Sequence, residues 1–175
     1  MRNQKGFTLI EVIIYLALFS MLFGGIVLAA YNVIDSSGRS QVKAMIQEEG
    51  DFLVSKINWV LSGVQSVSEP STTSTSCDTG VASTFLSVAK FSPPIANPLA
   101  VALSGTDMTL SQGSNAAQIL NNSSVQVSNL AFVYAQASGD GLVPESVCST
   151  FTLSVKTPTG QTISQDFSTT NFLRQ

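Results

Sequence analysis

The chain has 175 residues, of which 44% are hydrophobic and 11% are charged, and its formal net charge is −3. It contains no histidine, which excludes His-based nucleophile activation, His general bases and His metal ligands. The acidic residues are spread along the chain and no basic stripe accompanies them, so nucleic-acid binding has no electrostatic footprint. Apolar residues concentrate in 12–31, whereas the rest is rich in Ser, Thr, Asn and Gln. This asymmetry indicates a membrane segment attached to a polar, exported domain.

Residues 12–31 supply about 20 apolar or small residues, the length needed to cross a hydrocarbon core about 30 Å thick. Arg2 and Lys5 precede this run, a bias that favours a cytoplasmic N-terminus and an external remainder. A cleaved secretory signal would have a shorter apolar core, and Glu11 stands where that core would begin. A carboxylate costs ~2.5–3.5 kcal/mol at the bilayer centre and less near its edge. Glu11 therefore either lies in water at the interface or has a partner.

Residues 5–12 read KGFTLIEV: a basic residue, Gly, an aromatic residue, Thr, two aliphatic residues, Glu and Val. This stretch resembles the N-terminal processing motif of type IV prepilins and type II secretion pseudopilins. The resemblance implies that a membrane aspartic protease, the prepilin peptidase, cleaves between Gly6 and Phe7 and then N-methylates Phe7. It further implies that Glu11 pairs with the Phe7 amine of a neighbouring subunit, as a docking group and not as a catalytic acid.

The resemblance implies a structural subunit with no enzymatic activity, a minor pilin or pseudopilin that initiates or caps a filament. Its expected partners are other pilins or pseudopilins, the prepilin peptidase and an inner-membrane platform protein. The chain is expected in the inner membrane as a single-pass protein with an extracytoplasmic head, and then in a periplasmic or surface filament. Two other interpretations stay open: a minor pilin whose head binds DNA or a surface, and a singly anchored exported enzyme. Secretion, uptake and pilus systems share this leader, so the motif does not separate them.

After the membrane segment, apolar residues recur at three- and four-residue spacing, which predicts an amphipathic stem helix packed under a sheet. This apolar stripe consists of Val42, Met45, Ile46, Phe52, Leu53, Ile57, Val60, Leu61 and Val64. A continuous helix from about residue 7 to about residue 63 is expected, with Gly24-Gly25, 35–38 and Gly50 as weak points. Bending or local melting is expected at 35–38.

The period changes to two beyond the polar run 71–76, which reads as a loop. Strands are predicted near 84–89, 100–103, 107–111, 117–120 and 125–134, with a hairpin over 148–167. The alternation of apolar and polar residues slips at Ser128-Asn129, which predicts a β-bulge. The expected fold class is α+β, a long N-terminal helix against a mainly antiparallel sheet. The expected segments are a leader (1–6), a membrane helix (7–34), a stem helix (35–66) and a soluble head (67–175).

The two cysteines, Cys77 and Cys148, lie far apart and in no C-x-x-C motif. In an exported domain they fit one structural disulfide, with two free buried thiols as the alternative. No cofactor is expected: Ser138-Gly139-Asp140-Gly141 reads as a turn, and calcium, which some pseudopilins carry, is kept as the alternative. The segment SSVQVSNLAFVY, a hairpin and the terminal DFSTTNFLRQ together resemble the end of J-type minor pseudopilins and related minor pilins.

Overall fold

The structure is a computed structural model that describes residues 8–74, 76–77, 80–91, 96–137 and 144–173. Within these ranges the elements in chain order are α1 (Leu9–Leu61), β1 (Val64–Glu69), β2 (Thr73–Ser74), β3 (Phe85–Lys90), β4 (Leu99–Ser104), β5 (Asp107–Gln112), β6 (Gln118–Ile119), β7 (Gln126–Ala135), β8 (Ser146–Lys156) and β9 (Thr162–Phe172). One long helix followed by a mostly antiparallel β head confirms the predicted α+β class. The chain divides into two compact units, Met1–Gln41 and Val42–Gln175.

In the first unit, α1 runs without interruption through the segment where local melting was expected, so that expectation is wrong. Polar side chains at 35–40 form hydrogen bonds within the helix. The guanidinium of Arg39 donates to the Asp35 carboxylate one turn earlier, at 2.9 Å. The Ser40 hydroxyl likewise donates to the Ser36 carbonyl at 3.0 Å, which leaves the backbone ladder in place.

In the second unit, the stem part of α1 ends at Leu61, so the predicted boundary at 66 is wrong. Gly63 adopts a φ of 66°, a left-handed conformation that ends helices and favours glycine. The Lys90 ammonium donates to the Trp59 carbonyl in the last turn and lies 4.3 Å from the centroid of the indole ring. A cation at this position complements the partial negative charge of the helix end. Burial of Lys90 lowers the pKa of its ammonium.

The head contains two sheets. The larger has the order β1-β3-β4-β5-β6 and is antiparallel throughout, and the smaller has the order β2-β7-β8-β9. All of the predicted strands are present as β3 to β9, whereas β1 and β2 were not predicted. Only the short β2 pairing with β7 is parallel among the described strands. The predicted bulge is present, since the β7–β8 register shifts between Ser128 and Ala131 and Asn129 has a φ of 52°.

The core of the second unit lies between the stem and the inner faces of the two sheets. Its fully buried side chains include Ile46, Leu53, Ile57 and Val60 of the stem, Leu86, Val88, Leu99 and Met108 of the larger sheet, and Phe132, Phe151 and Leu153 of the smaller. Met45 and Phe52 were predicted to face this core but are 41% and 42% exposed. Together with the exposed Trp59 they form a row at seven-residue spacing, here called the stem stripe, on a different face of the helix.

Two residues fix close contacts within this core. Gly50 of the stem lies directly under Phe167 of β9, because a Cβ built at Gly50 would be 2.1 Å from two atoms of that ring. The Phe167 ring in turn stacks on Phe151 of β8, with centroids 5.4 Å apart. Asn121 is buried and satisfies backbone groups around it: its Oδ1 accepts from the Met108 N–H at 2.7 Å. The Asn121 amide donates to the Val125 carbonyl at 2.8 Å.

Candidate functional site

The first turn of α1 places a carboxylate among exposed apolar side chains. The N–H groups of Glu11 and Val12 donate to the Thr8 carbonyl at 3.1 and 3.3 Å, which starts the helix. Leu9 and Ile10 are exposed beside them. A negative charge in the first turn is favourable because unpaired N–H groups give the helix start a partial positive charge.

Glu11 has a neutral neighbour and no cationic one in the part of the chain that the structure describes. The Tyr15 hydroxyl, one turn on, donates to Glu11 Oε1 at 3.4 Å. Arg39–Asp35 is the one ion pair found among these residues. Gly6 and Phe7 lie outside the described residues, so the cleavage site and the pairing of Glu11 with a Phe7 amine stay predictions.

The helix that follows Glu11 is long and apolar enough to cross a membrane, and its most apolar window is fully unburied in the chain. The exposed side chains include Ile13, Ile14, Leu16, Leu18, Phe19, Met21, Leu22, Phe23, Ile26, Val27 and Leu28. The hydroxyl of Ser20, within this stretch, is satisfied inside the helix, since its Oγ donates to the Leu16 carbonyl at 2.8 Å. A surface of this kind is stable in lipid or against other apolar helices and not in water.

A disulfide joins Cys77 to Cys148, with Cα atoms 5.9 Å apart, which is the pairing that the sequence analysis expected. It links the segment after β2 to the central strand β8 and closes a loop of 71 residues in sequence separation. Cross-links of this kind stabilise a fold typically by ~2–4 kcal/mol, largely through the unfolded state in the chain-entropy model.

A small polar cavity of about 180 Å³ lies in the head. It is lined by Val64, Gln65, Ser66, Val67, Tyr134, Glu145 and Leu173. Burial raises the pKa of Tyr134, and the charge and hydrogen bond of Glu145 raise it further. The described residues contain no group of three or more His, Cys, Asp or Glu side chains that could hold a metal ion. The segment considered for calcium, 138–141, lies outside the described residues.

The sequence predicted the disulfide that the structure contains. The docking role of Glu11 stays a prediction, and the stem stripe was missed because Met45 and Phe52 were placed in the core. A comparison with curated proteins and with solved structures returned no match. Residues 1–27 match one family model, the prokaryotic N-terminal methylation motif. This motif spans residues 1–6, Glu11 and most of the exposed apolar helix, and it marks the chain as a type IV prepilin-like protein.

Proposed function

We propose that the chain is a minor pilin or pseudopilin that helps to initiate or cap a type IV pilus-like or type II secretion filament. The methylation motif supports a pilin or pseudopilin that the prepilin peptidase processes and that assembles with other pilins. The minor subtype rests on the resemblance of the segment from about residue 107 to the C-terminus to J-type pseudopilins and related minor pilins. An inner-membrane platform protein completes the proposed set of partners.

The observation that carries this proposal is a carboxylate with no cationic partner at the start of a bare apolar helix. Glu11 lies four residues after Phe7, among Leu9, Ile10 and Val12, and no basic side chain of the described residues pairs with it. Cleavage after Gly6 would expose a positive amine on Phe7. Since a lone charge in lipid costs several kcal/mol and a pair costs less, Glu11 of an incoming subunit binds the amine of its neighbour.

The surface of the stem supports packing against other subunits. The stem stripe of Met45, Phe52 and Trp59 is exposed at seven-residue spacing, the repeat by which one helix packs along another. We therefore assign the apolar helix and the stem stripe to contacts between stems in the filament. The soluble head is assigned to the external side of the membrane, as the basic residues of the leader favour.

The experiment combines mass spectrometry of the mature N-terminus with an assembly assay. In cells with the peptidase, the mature chain should begin at a methylated Phe7, and in cells without it the leader should remain. Glu11→Ala should be processed and inserted in the membrane but lost from the sheared filament fraction. Glu48→Ala, which removes an exposed glutamate of the same helix, is the matched control and should assemble normally.

Three outcomes contradict the proposal. A chain that functions while it retains its original methionine would show that cleavage of the leader is not required. Normal assembly of Glu11→Ala removes the docking role, and loss of Glu11→Ala from the membrane shows that the carboxylate serves insertion instead.

The net charge of the chain does not support the alternative of a DNA-binding head. Removal of the leader takes away Arg2 and Lys5 and leaves six basic side chains against eleven acidic ones. A net negative surface repels the phosphate backbone.

A further inference from the structure

The outer strand of the smaller sheet, β9, is long, regular and open on one side. It pairs with β8 from Lys156↔Thr162 to Ser146↔Phe172 without a register shift. Among the strands of the described residues, none follows it in the sheet order. Its eleven residues include no proline, glycine or lysine, and their one charged residue is Asp166.

The hydrogen bonds at the two ends of the hairpin show which residues of β9 face the open side. The Leu173 N–H donates to the Glu145 carbonyl at 2.8 Å, and the Thr157 N–H donates to the Gln161 carbonyl at 2.7 Å. Bonded and non-bonded pairs alternate along an antiparallel ladder, so the odd-numbered residues of β9 bond β8. The even-numbered residues direct their N–H and C=O groups away from β8: Thr162, Ser164, Asp166, Ser168, Thr170 and Phe172. Their side chains are all exposed, and among the described residues their backbone groups form no other backbone hydrogen bond.

The other sheet edges in the described part of the chain are protected. β1 has two register irregularities in six residues and is followed by Pro70, and β6 is two residues long. The outer side of β7 is covered by three separate segments. β2 pairs with it, Ser83 exchanges two hydrogen bonds with Phe132 at 2.7 and 2.9 Å, and the Thr106 carbonyl accepts from Val127 at 2.8 Å.

Natural proteins rarely leave a long, flat edge unprotected, because any extended chain can pair with it. We propose that β9 is a strand-addition site, which pairs through its even-numbered residues with an extended segment of a different protein. Main-chain hydrogen bonds would supply the affinity, and side chains on the two faces would supply the specificity.

A second copy of this chain is a poor occupant for antiparallel pairing. Gln47 of the stem bonds Gln165 at 2.8 Å, and Asn58 bonds Asn171 at 2.9 Å, so β9 runs in the same direction as the stem. Antiparallel pairing of two β9 strands would therefore reverse one stem relative to the other. Two stems anchored in one membrane run the same way. This point rests on the membrane anchorage in the proposed function. Among the described strands, the irregular β1, the two-residue β6 and the covered β7 offer a second copy no other regular edge of matching length.

Charge near the middle of β9 specifies the partner further. Asp166 is exposed on the outer face, where its carboxylate accepts from the Thr152 hydroxyl at 2.6 Å. On the helix side, the exposed Asp51 accepts from Gln47, the same residue that bonds Gln165. The basic Lys156 lies at the far end, opposite Thr162. The partner segment is therefore polar, free of proline over at least six residues, and carries Lys or Arg opposite Asp166.

Peptide binding to the full-length protein in detergent micelles tests this inference. The probe is a fluorescein-labelled peptide TVTKTVT, and its matched control is TVTETVT. The Lys peptide should bind at least tenfold more tightly than the Glu peptide and should slow hydrogen exchange at the Ser168 amide. Ser168→Pro should weaken binding at least tenfold, because it removes an outward N–H and leaves the bonds to β8 in place. Ser168→Thr keeps that N–H and should bind normally.

A second variant keeps the test decisive if Ser168→Pro alters the fold. Asp166→Lys should reverse the preference, so that the Glu peptide binds more tightly than the Lys peptide. Absence of binding by either peptide, equal binding by the proline and threonine variants, or an unchanged preference in Asp166→Lys would each overturn the inference. So would a dimer of the chain itself that Ser168→Pro abolishes. A chain that binds neither peptide but is processed and assembled normally refutes the strand-addition site alone, not the proposed function.

Discussion

Gly50→Ala is expected to destabilise the head although alanine is the better helix former. The added Cβ would lie 2.1 Å from Phe167 ring atoms, well inside van der Waals contact, and Phe167 is held against Phe151. Overpacking a core costs ~1–3 kcal/mol, while replacing Gly by Ala in a helix gains ~1 kcal/mol. Because three ring atoms lie within 2.7 Å, the upper part of the cost applies and a net loss of about 1–2 kcal/mol is expected.

Thermal unfolding of the full-length protein in micelles, followed by near-ultraviolet circular dichroism, measures this loss. For a unit of this size, each kcal/mol shifts Tm by about 3–5 °C, so Tm should fall by roughly 3–10 °C. Gly38→Ala is the matched control, since a Cβ at Gly38 meets nothing within 4 Å, and it should leave Tm unchanged or slightly higher.

A double-mutant cycle assigns the effect to the ring. In a Phe167→Leu background the ring atoms are absent, so Gly50→Ala should cost much less than it does in the natural chain. A Gly50→Ala protein that is more stable than the natural chain would show that the Phe167 ring moves freely, and the reasoning from close packing would be refuted.

Two further predictions concern the head. Asn121→Ala leaves the Met108 N–H without its acceptor in the core, which should lower the free energy of unfolding by ~1–3 kcal/mol. The midpoint of urea unfolding should fall, and an unchanged midpoint would show that another group replaces the amide. The raised pKa of Tyr134 means that the folded state keeps this proton above pH 10, where the unfolded chain loses it. The resulting stabilisation is present below pH 10 and is lost as pH rises through the folded pKa. Tyr134→Phe should remove this stabilisation, so the Tm values of the two proteins should converge as pH rises from 9 to 11.5. Parallel Tm curves over this range would contradict the prediction.

Strands β3 to β9 could be predicted from the sequence, most clearly where apolar and polar residues alternate, whereas β1 and β2 could not. Phe151, Leu153 and Val155 alternate with polar residues and lie in β8 as expected. β1 was missed because Val64 and Val67 are three residues apart, which continues the helical period of the stem. β2 lies in a Ser/Thr run without any apolar alternation, so its pairing with β7 depends on backbone bonds that no side-chain pattern reports.

The candidate site was predictable where chemistry is encoded in a short stretch, as at Glu11. Gly50 shows what the sequence does not predict. Its type indicates a weak point of the helix, whereas in the structure it contacts a strand more than a hundred residues away in sequence. The outward direction of alternate β9 residues was also hidden, because it depends on which pairs of the hairpin carry hydrogen bonds and not on residue type.

The disulfide changes how the head would respond to a mechanical pull. Tension applied between the stem and the C-terminus travels along the covalent chain from β1 to Cys77 and crosses directly into β8 at Cys148. The strands from β3 to β7 lie inside the closed loop and outside that path. A head pulled through its stem would therefore keep most of its larger sheet unloaded, and chemical reduction would extend the loaded length by the whole loop.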